Sequence, residues 1–382
     1  MRIAIIGGGI GGLTAALALR RVGFSPIIFE QAPELLEVGA AIALWPNAMR
    51  LLRHLDLDRE IMSKAGVIEK IRVLDWRGKL LKSARLPETD APAVALRRAD
   101  LQTTLLHAVP AGSVHLDHHC TGFLQTPDKL TVMFSDGDSM DCELLIGADG
   151  LHSAVRAQAL NDGEPVGCKY IAWRGVSNFR PPSLAPATAI EIHGRGQRFG
   201  IGPVGLGRVG WWATANFRQV DDKTEEEQQR LLKLFAGWFQ PVIELIQATP
   251  EKGIVRNLVF DRPRAKRWGI ARFTLLGDAI HPTTPNLGQG GCLAIEDAVV
   301  LARCLSKDND PVRALRNYER LRERRTANVV TWSRYYGVVG QWQSWPATLT
   351  RSLIISICPE SVIQRLLRLV FDYDAREVNL DS

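Results

Sequence analysis

Six residues near the N-terminus, Gly7-Gly8-Gly9-Ile10-Gly11-Gly12, have the types and spacing needed to hold a pyrophosphate. Gly7 permits a tight turn, Gly9 lets the backbone approach a phosphate, and Gly12 lets a helix lie close on a strand. The helix that follows turns free N–H groups and a partial positive charge towards the same phosphates. Glu30, 18 residues beyond Gly12, carries a carboxylate suited to both hydroxyls of an adenosine ribose. This motif fits FAD and NAD equally. Two more aspartates close apolar runs in a similar manner, Asp149 in Gly147-Ala148-Asp149-Gly150 and Asp278 in Leu276-Gly277-Asp278. Asp278 could accept hydroxyl donors from a ligand or merely cap its own turn. Gly288-Gln289-Gly290-Gly291 precedes helical sequence, where a backbone without side chains can approach a ring and stabilise negative charge on its edge.

Regular elements must bring these residues together. Ile3-Ala4-Ile5-Ile6 reads as a parallel strand covered on both faces, and Leu13, Ala16, Leu17 and Arg20 follow at helical spacing. Ile27-Ile28-Phe29-Glu30 returns as a second strand and completes a βαβ unit. The runs ending at Asp149 and Asp278 read as two further strands entering loops. Between about 170 and 270 the pattern changes to alternation, as in Thr188-Ala189-Ile190-Glu191-Ile192 and Trp211-Trp212-Ala213-Thr214, which predicts an inserted antiparallel sheet. Ala294, Ala298, Leu301 and Leu305 predict a helix after Gly291, and an amphipathic helix is expected over 361–371.

Composition narrows the function. With 382 residues, two cores are more natural than one. The net charge of +6 is spread along the chain without a basic block interleaved with aromatics, so nucleic acid is not indicated, although a positive field would steer anionic cofactors or substrates. Six scattered cysteines show no CxxC spacing, which suggests neither a zinc site nor a disulfide framework and fits a reducing cytoplasm. No metal site is expected. The apolar start runs straight into a strand, so the mature chain is expected to begin at residue 1. No stretch has the roughly 20 apolar residues that a membrane span needs. The late runs Leu353 to Cys358 and Leu366 to Phe371 are read first as domain packing, with weak peripheral contact with a membrane as the alternative.

Taken together, these motifs resemble the single-component FAD-dependent aromatic monooxygenases, the family of 4-hydroxybenzoate and salicylate hydroxylases. Gly147-Ala148-Asp149-Gly150 through Arg156 is similar to that family's Asp-Gly motif, and Leu276-Gly277-Asp278 through Pro282 to its Gly-Asp motif. Trp45-Pro46-Asn47-Ala48, Arg98-Ala99-Asp100-Leu101 and Trp173-Arg174-Gly175 agree with it. The resemblance implies an α/β fold: a Rossmann-type FAD-binding domain (1–75, 98–169 and 270–330), an inserted, mostly antiparallel substrate sheet (76–97 and 170–269), and C-terminal helices (331–382). It also implies NADH or NADPH as co-substrate, O2 as oxidant, and hydroxylation of a small aromatic substrate by a flavin hydroperoxide. Alternatives are epoxidation of an apolar alkene and FAD chemistry without oxygen insertion.

By the same resemblance, Asp278 holds the ribityl chain, Arg98 reaches the FAD with Arg97 as the fallback, and Asp149 and Arg156 serve FAD and transient NAD(P)H, although either could instead form a structural ion pair. Gln31 and Ala41 are nominated by position near the adenosine and the flavin. For substrate handling the candidates are His281, Arg198, Arg174 and Trp212, with His193 weaker. Trp173, Phe199, Trp211 and Phe217 are further candidates for an aromatic, water-excluding wall, and each could equally be sheet packing. His281 could instead support the proline loop. No oligomeric state follows from the sequence.

Overall fold

A computed structural model describes residues 1–35, 41–127, 129–220 and 226–381. Its cofactor half is built on five parallel strands ordered Phe273–Leu275, Leu144–Gly147, Ile3–Ile6, Ile27–Phe29 and Val114–His115. Ile6 pairs with Gly147 and Gly147 with Leu275, so the three strands leading to Gly7, Asp149 and Asp278 end on one level. The crevice beyond the carboxyl ends of such a sheet is where ligands of this architecture bind. Helix Ile10–Arg21 packs on helix Gly290–Lys307, whose Ala294, Ala298, Leu301 and Leu305 are buried as their spacing requires. Gly11 allows that contact: a Cβ there would lie 2.8 Å from the Leu276 side chain and 3.3 Å from Ala294.

The second half is a seven-stranded sheet in the order Val255–Asp261, Val166–Ser177, Val209–Asn216, Gln197–Pro203, Thr188–His193, Lys70–Asp75 and Leu80–Arg85. All neighbours are antiparallel except Thr188–His193 with Lys70–Asp75. This sheet takes in residues 70–75 and 166–169, which the boundaries drawn from the sequence assign to the cofactor half. Ala93–Arg97, assigned to the substrate sheet, instead pairs with Ala41–Leu44 and Gly66–Ile68. Side-chain alternation finds strands but does not say which sheet each one joins. A separate three-stranded meander, Cys120–Gln125, Leu130–Phe134 and Ser139–Cys142, also gave no distinct signal.

Helix Pro311–Gly340 runs from one half to the other, crossing the boundary expected at 330. Helices Trp345–Ile357 and Glu360–Phe371 follow and pack on the edge strand Leu80–Arg85. Among the described residues no helix is long and apolar enough to cross a membrane.

Candidate functional site

The glycine-rich turn is shaped by contacts on two sides and open on the third. Gly7 has φ +107°, and a Cβ there would lie 2.4 Å from the Ala148 carbonyl oxygen. At Gly12 the added atom would lie 1.9 Å from the Gly7 oxygen, so strand, turn and helix touch. A Cβ added at Gly9 would meet nothing within 4 Å among the described residues. The helix N-terminus at Gly9 carries no side-chain cap, which leaves its amides to a ligand. Glu30 is fixed by the Gly8 amide at 2.6 Å and the Ala32 amide at 2.9 Å, an arrangement that leaves lone pairs for further donors. Gln31 is exposed and bonded to His119 at 2.9 Å. Ala41 opens its strand opposite Arg97 and lies against the large sheet, since a Cβ on Gly210 would lie 2.8 Å from it.

Asp149 accepts from the Val155 amide at 3.3 Å through Oδ2, while its buried Oδ1 has no hydrogen-bond partner among the described residues. Burial pushes its pKa up. A buried acceptor left unmatched beside a glycine-rich turn fits a ligand that brings its own donor. Arg156 belongs elsewhere. It is fully buried, pairs with Asp162 at 2.6 Å, and donates to the carbonyls of Ala279 and Ile280 at 3.2 and 2.8 Å. Of the two readings of this residue, FAD and NAD(P)H contact or a structural ion pair, the geometry is that of the second: its guanidinium ties the two aspartate loops together.

Asp278 lies on the turn Gly277–Ala279 with its carboxylate open to the cleft. A Cβ on Gly290 would stand 3.8 Å from Asp278 Oδ1, so the aspartate and the N-terminus of helix Gly290–Lys307 border the same space. The surrounding protein raises the Asp278 pKa by desolvation, opposed by the charges of His281 and Arg98. Arg98 therefore acts on the cleft, whereas Arg97 is taken up by Asp100 at 2.6 Å. Gly291 abuts Ile42, and a Cβ there would lie 2.9 Å from its Cδ1.

The large sheet turns one face to this cleft. Arg174 pairs in register with Trp212, and Gly200 lies opposite Trp212 on the other side. The indole lies across Gly200, where a Cβ would fall 2.0 Å from Trp212 Nε1. Trp173, Phe199 and Trp211 point to the opposite face, by the two-residue period of a strand. There Phe199 stacks on Trp211 at 5.4 Å, Trp211 donates to Thr249 and Trp173 to Glu227. These three are sheet packing, and of the aromatic wall expected from sequence only Trp212 faces the cleft. Phe217 is exposed and lines a cavity of about 870 Å3 with Tyr170, Asn286, Val338, Gln341 and Gln343. That cavity lies between the start of strand Val166–Ser177, the end of strand Val209–Asn216 and helix Pro311–Gly340, and its wall includes neither Gly9, Asp149 nor Asp278.

Two substrate-handling candidates are engaged in the scaffold. His281 places Nε2 2.5 Å from Asp297 Oδ2, and the same carboxylate accepts from the Gly277 amide at 3.0 Å and from Arg322 at 2.7 Å. His281 thus holds the turn that presents Asp278. Arg198 is buried and donates to Gln341 at 3.2 Å, to Glu191 at 3.3 Å and to Asn286, with its guanidinium 5.3 Å from the Trp212 ring. It is a tie between sheet and proline loop, already matched, and not an open cation awaiting a carboxylate. His193 is buried 3.3 Å from Glu191.

Burial opposes the ionisation of Glu191, yet His193, Arg198 and the Tyr336 hydroxyl bring its pKa down to about 2. A carboxylate held below its ordinary 4.5 adds stability that is complete above that value and lost as the pH falls towards 2. Glu191→Gln should therefore be less stable than the parent at neutral pH and lose less on acidification from about 4.5 to 2, as read from urea midpoints. A parallel acid limb in parent and variant would contradict the assignment.

Sequence reasoning missed Asn286, Glu191, Asp297 and Arg322. Only Asn286 had a local signal, the turn-forming Pro285-Asn286-Leu287-Gly288.

Against known proteins, residues 1–333 match the family model described as FAD binding domain. The chain is 40% identical over 348 residues to an aurachin C monooxygenase/isomerase of Stigmatella aurantiaca, covering 90% of this chain and 91% of that protein. It is 34% identical to a chloroplastic zeaxanthin epoxidase of Oryza sativa subsp. japonica, covering 84% of this chain and 52% of that protein, so it spans about half the length of that relative. Among solved structures, Klebsiella pneumoniae HpxO complexed with FAD and uric acid aligns with a TM-score of 0.90 at 30% identity, covering 96% of this chain and 95% of that one.

Proposed function

The chain belongs to the FAD binding domain family and is an FAD-dependent monooxygenase, and from that premise we propose that it uses NADH or NADPH with O2 to hydroxylate a small aromatic or heteroaromatic substrate. The observation that carries this reading is the common level at which three parallel strands deliver Gly9, Asp149 and Asp278, opposite the sheet face bearing Arg174 and Trp212. FAD, when bound, supplies the redox chemistry and the activation of O2.

The residues present suit that group. Gly9 and the first amides of helix Ile10–Arg21 would take the pyrophosphate, and Glu30 the adenosine ribose. Asp149 would complete its unmatched Oδ1, Asp278 would accept ribityl hydroxyls, and Arg98 would add positive charge nearby. Gly290 and Gly291 would place helix amides against the ring and favour a negatively charged, reduced form. Gln31 and Ala41 remain proposed neighbours of the adenosine and the flavin. Arg174 and Trp212 would border the substrate and keep water from the reacting atoms. His281 and Arg198 are assigned to positioning, through Asp297 and Asn286.

All six cysteines are unpaired, and a cytoplasmic setting is proposed on that ground. The epoxidase alternative differs in the bonds made, the oxygen closing across both carbons of an alkene instead of replacing a ring hydrogen, and the same assay separates the two.

The test is a panel of hydroxyaryl, heteroaryl and alkene compounds screened for accelerated oxidation of NADH or NADPH, with 18O2 incorporation followed by mass spectrometry. Ring-bound 18O is expected. 18O in an epoxide would favour the alternative, and no incorporation with any ligand would refute oxygen transfer. Asp278→Ala should raise the FAD dissociation constant about 10- to 100-fold, the worth of one or two hydrogen bonds to a charged group. Unchanged flavin fluorescence titration would remove its assigned role.

A further inference from the structure

Helix Trp345–Ile357 is inside out for a protein surrounded only by water. Its Arg351 is 3% exposed and donates to the carbonyls of Gly340 and Gly194 at 2.7 and 2.6 Å. Trp345, Leu349, Leu353 and Ile357, spaced four residues apart along one stripe, are exposed by 64, 54, 58 and 67%, and Ile354 stands beside them. The following helix, Glu360–Phe371, packs Val370 and Phe371 inward but leaves Val362, Leu366 and Leu369 outside. A surface helix ordinarily turns its apolar stripe to the core, and monomers rarely expose large contiguous apolar patches. Domain packing, the first reading of these stretches, thus accounts for only part of them.

Both helices lie on the edge strand Leu80–Arg85, and the Arg85 amide donates to Glu360. That strand and its partner Lys70–Asp75 form a hairpin carrying Lys70, Arg72, Arg77, Lys79, Lys82 and Arg85. The one acid between residues 70 and 85 is Asp75, whose carboxylate is occupied by the turn amides of Arg77 and Lys79. Arg365 adds positive charge on the second helix, where Arg368 is paired with Asp372 at 3.5 Å.

We propose that the apolar faces of helices Trp345–Ile357 and Glu360–Phe371, flanked by the cationic hairpin 70–85, form a docking surface for an anionic phospholipid bilayer. Apolar side chains enter the interface while nearby cations meet lipid phosphates, and neither helix crosses the membrane. Charge favours lipid over a second copy of this chain, because a two-fold dimer would set one cationic hairpin close to the other. Val338 and Gln343 of the 870 Å3 cavity lead directly into the helix that starts at Trp345, so the docked face adjoins that cavity.

Co-sedimentation of the FAD-loaded protein with phosphatidylcholine vesicles, with and without phosphatidylglycerol, tests this. Binding should be stronger by about tenfold on the anionic vesicles and weaken as salt rises. The variant Leu353→Ser/Ile354→Ser/Ile357→Ser should lose about tenfold or more in partitioning, with bound flavin and thermal midpoint retained. Lys79→Glu/Lys82→Glu should reduce the preference for anionic lipid and leave the flavin spectrum unchanged. No binding to either vesicle, or equal binding by the triple-serine variant, would overturn the proposal. So would a lipid-free dimer in sedimentation equilibrium that the same three serines dissociate, since the face would then belong to a second copy.

Discussion

Replacing Arg322 with methionine is expected to cost about 3–5 kcal/mol of stability, the usual result of removing one partner from a buried ion pair. Arg322, Glu296 and Asp297 are all fully buried. The guanidinium donates to Asp297 at 2.7 Å, to Glu296 at 2.8 Å and to the Tyr373 hydroxyl at 2.8 Å. Without it, two carboxylates stay in the core, one with Arg325 at 3.1 Å and the other with His281. Burial opposes ionisation of Asp297, and the charges of His281 and Arg322 hold its pKa at about 2, so losing Arg322 leaves an ion or forces a proton.

Removing the whole cluster should be milder. Arg322→Met/Glu296→Gln/Asp297→Asn removes the three fully buried charges, leaves Arg325 to the Leu369 and Val370 carbonyls, and is expected to recover part of the loss. Urea unfolding of flavin-free protein measures both. A single variant within about 1 kcal/mol of the parent would show that the cluster relaxes or admits water. The consequence reaches the site, because Asp297 accepts from the Gly277 amide and from His281, the frame of Asp278. Arg322→Met should therefore also loosen FAD.

The cofactor half was legible because its signals are local. The Gly7 to Gly12 spacing, the strand Ile3–Ile6 and the Ala294 to Leu305 periodicity each describe contacts made within a few residues or against a flat sheet. Faces were harder. Alternation in Trp211-Trp212 requires the two indoles to diverge, but which of them meets the cleft depends on which neighbour covers each side of the sheet. Ties such as Arg198 to Asn286, 88 residues apart, leave no pattern in either segment. His281 was found through the Asp278 motif, but its role was set by Asp297 on a different element. The C-terminal helices show a related limit: spacing identifies an apolar stripe and does not tell whether protein or something else covers it.

Gly9 and Gly12 belong to one motif, yet the structure requires their substitutions to fail in different ways. A Cβ at position 12 would lie 1.9 Å from the Gly7 oxygen and 3.4 Å from Ile5, so Gly12→Ala must push helix from strand, at about 1–3 kcal/mol for overpacking. Position 9 has φ −73°, which any residue adopts, and a Cβ there would meet no described atom within 4 Å. Gly9→Val should thus fold with a flavin-free thermal midpoint within a few degrees of the parent. Its side chain would nevertheless occupy the space the phosphates need. We expect its FAD dissociation constant to rise about a hundredfold or more, equivalent to about 2.8 kcal/mol. Fluorescence titration beside flavin-free melting separates the two failures. A Gly9→Val protein that keeps its flavin would mean that the pyrophosphate does not approach this backbone, and the strand ends would have to serve some other ligand.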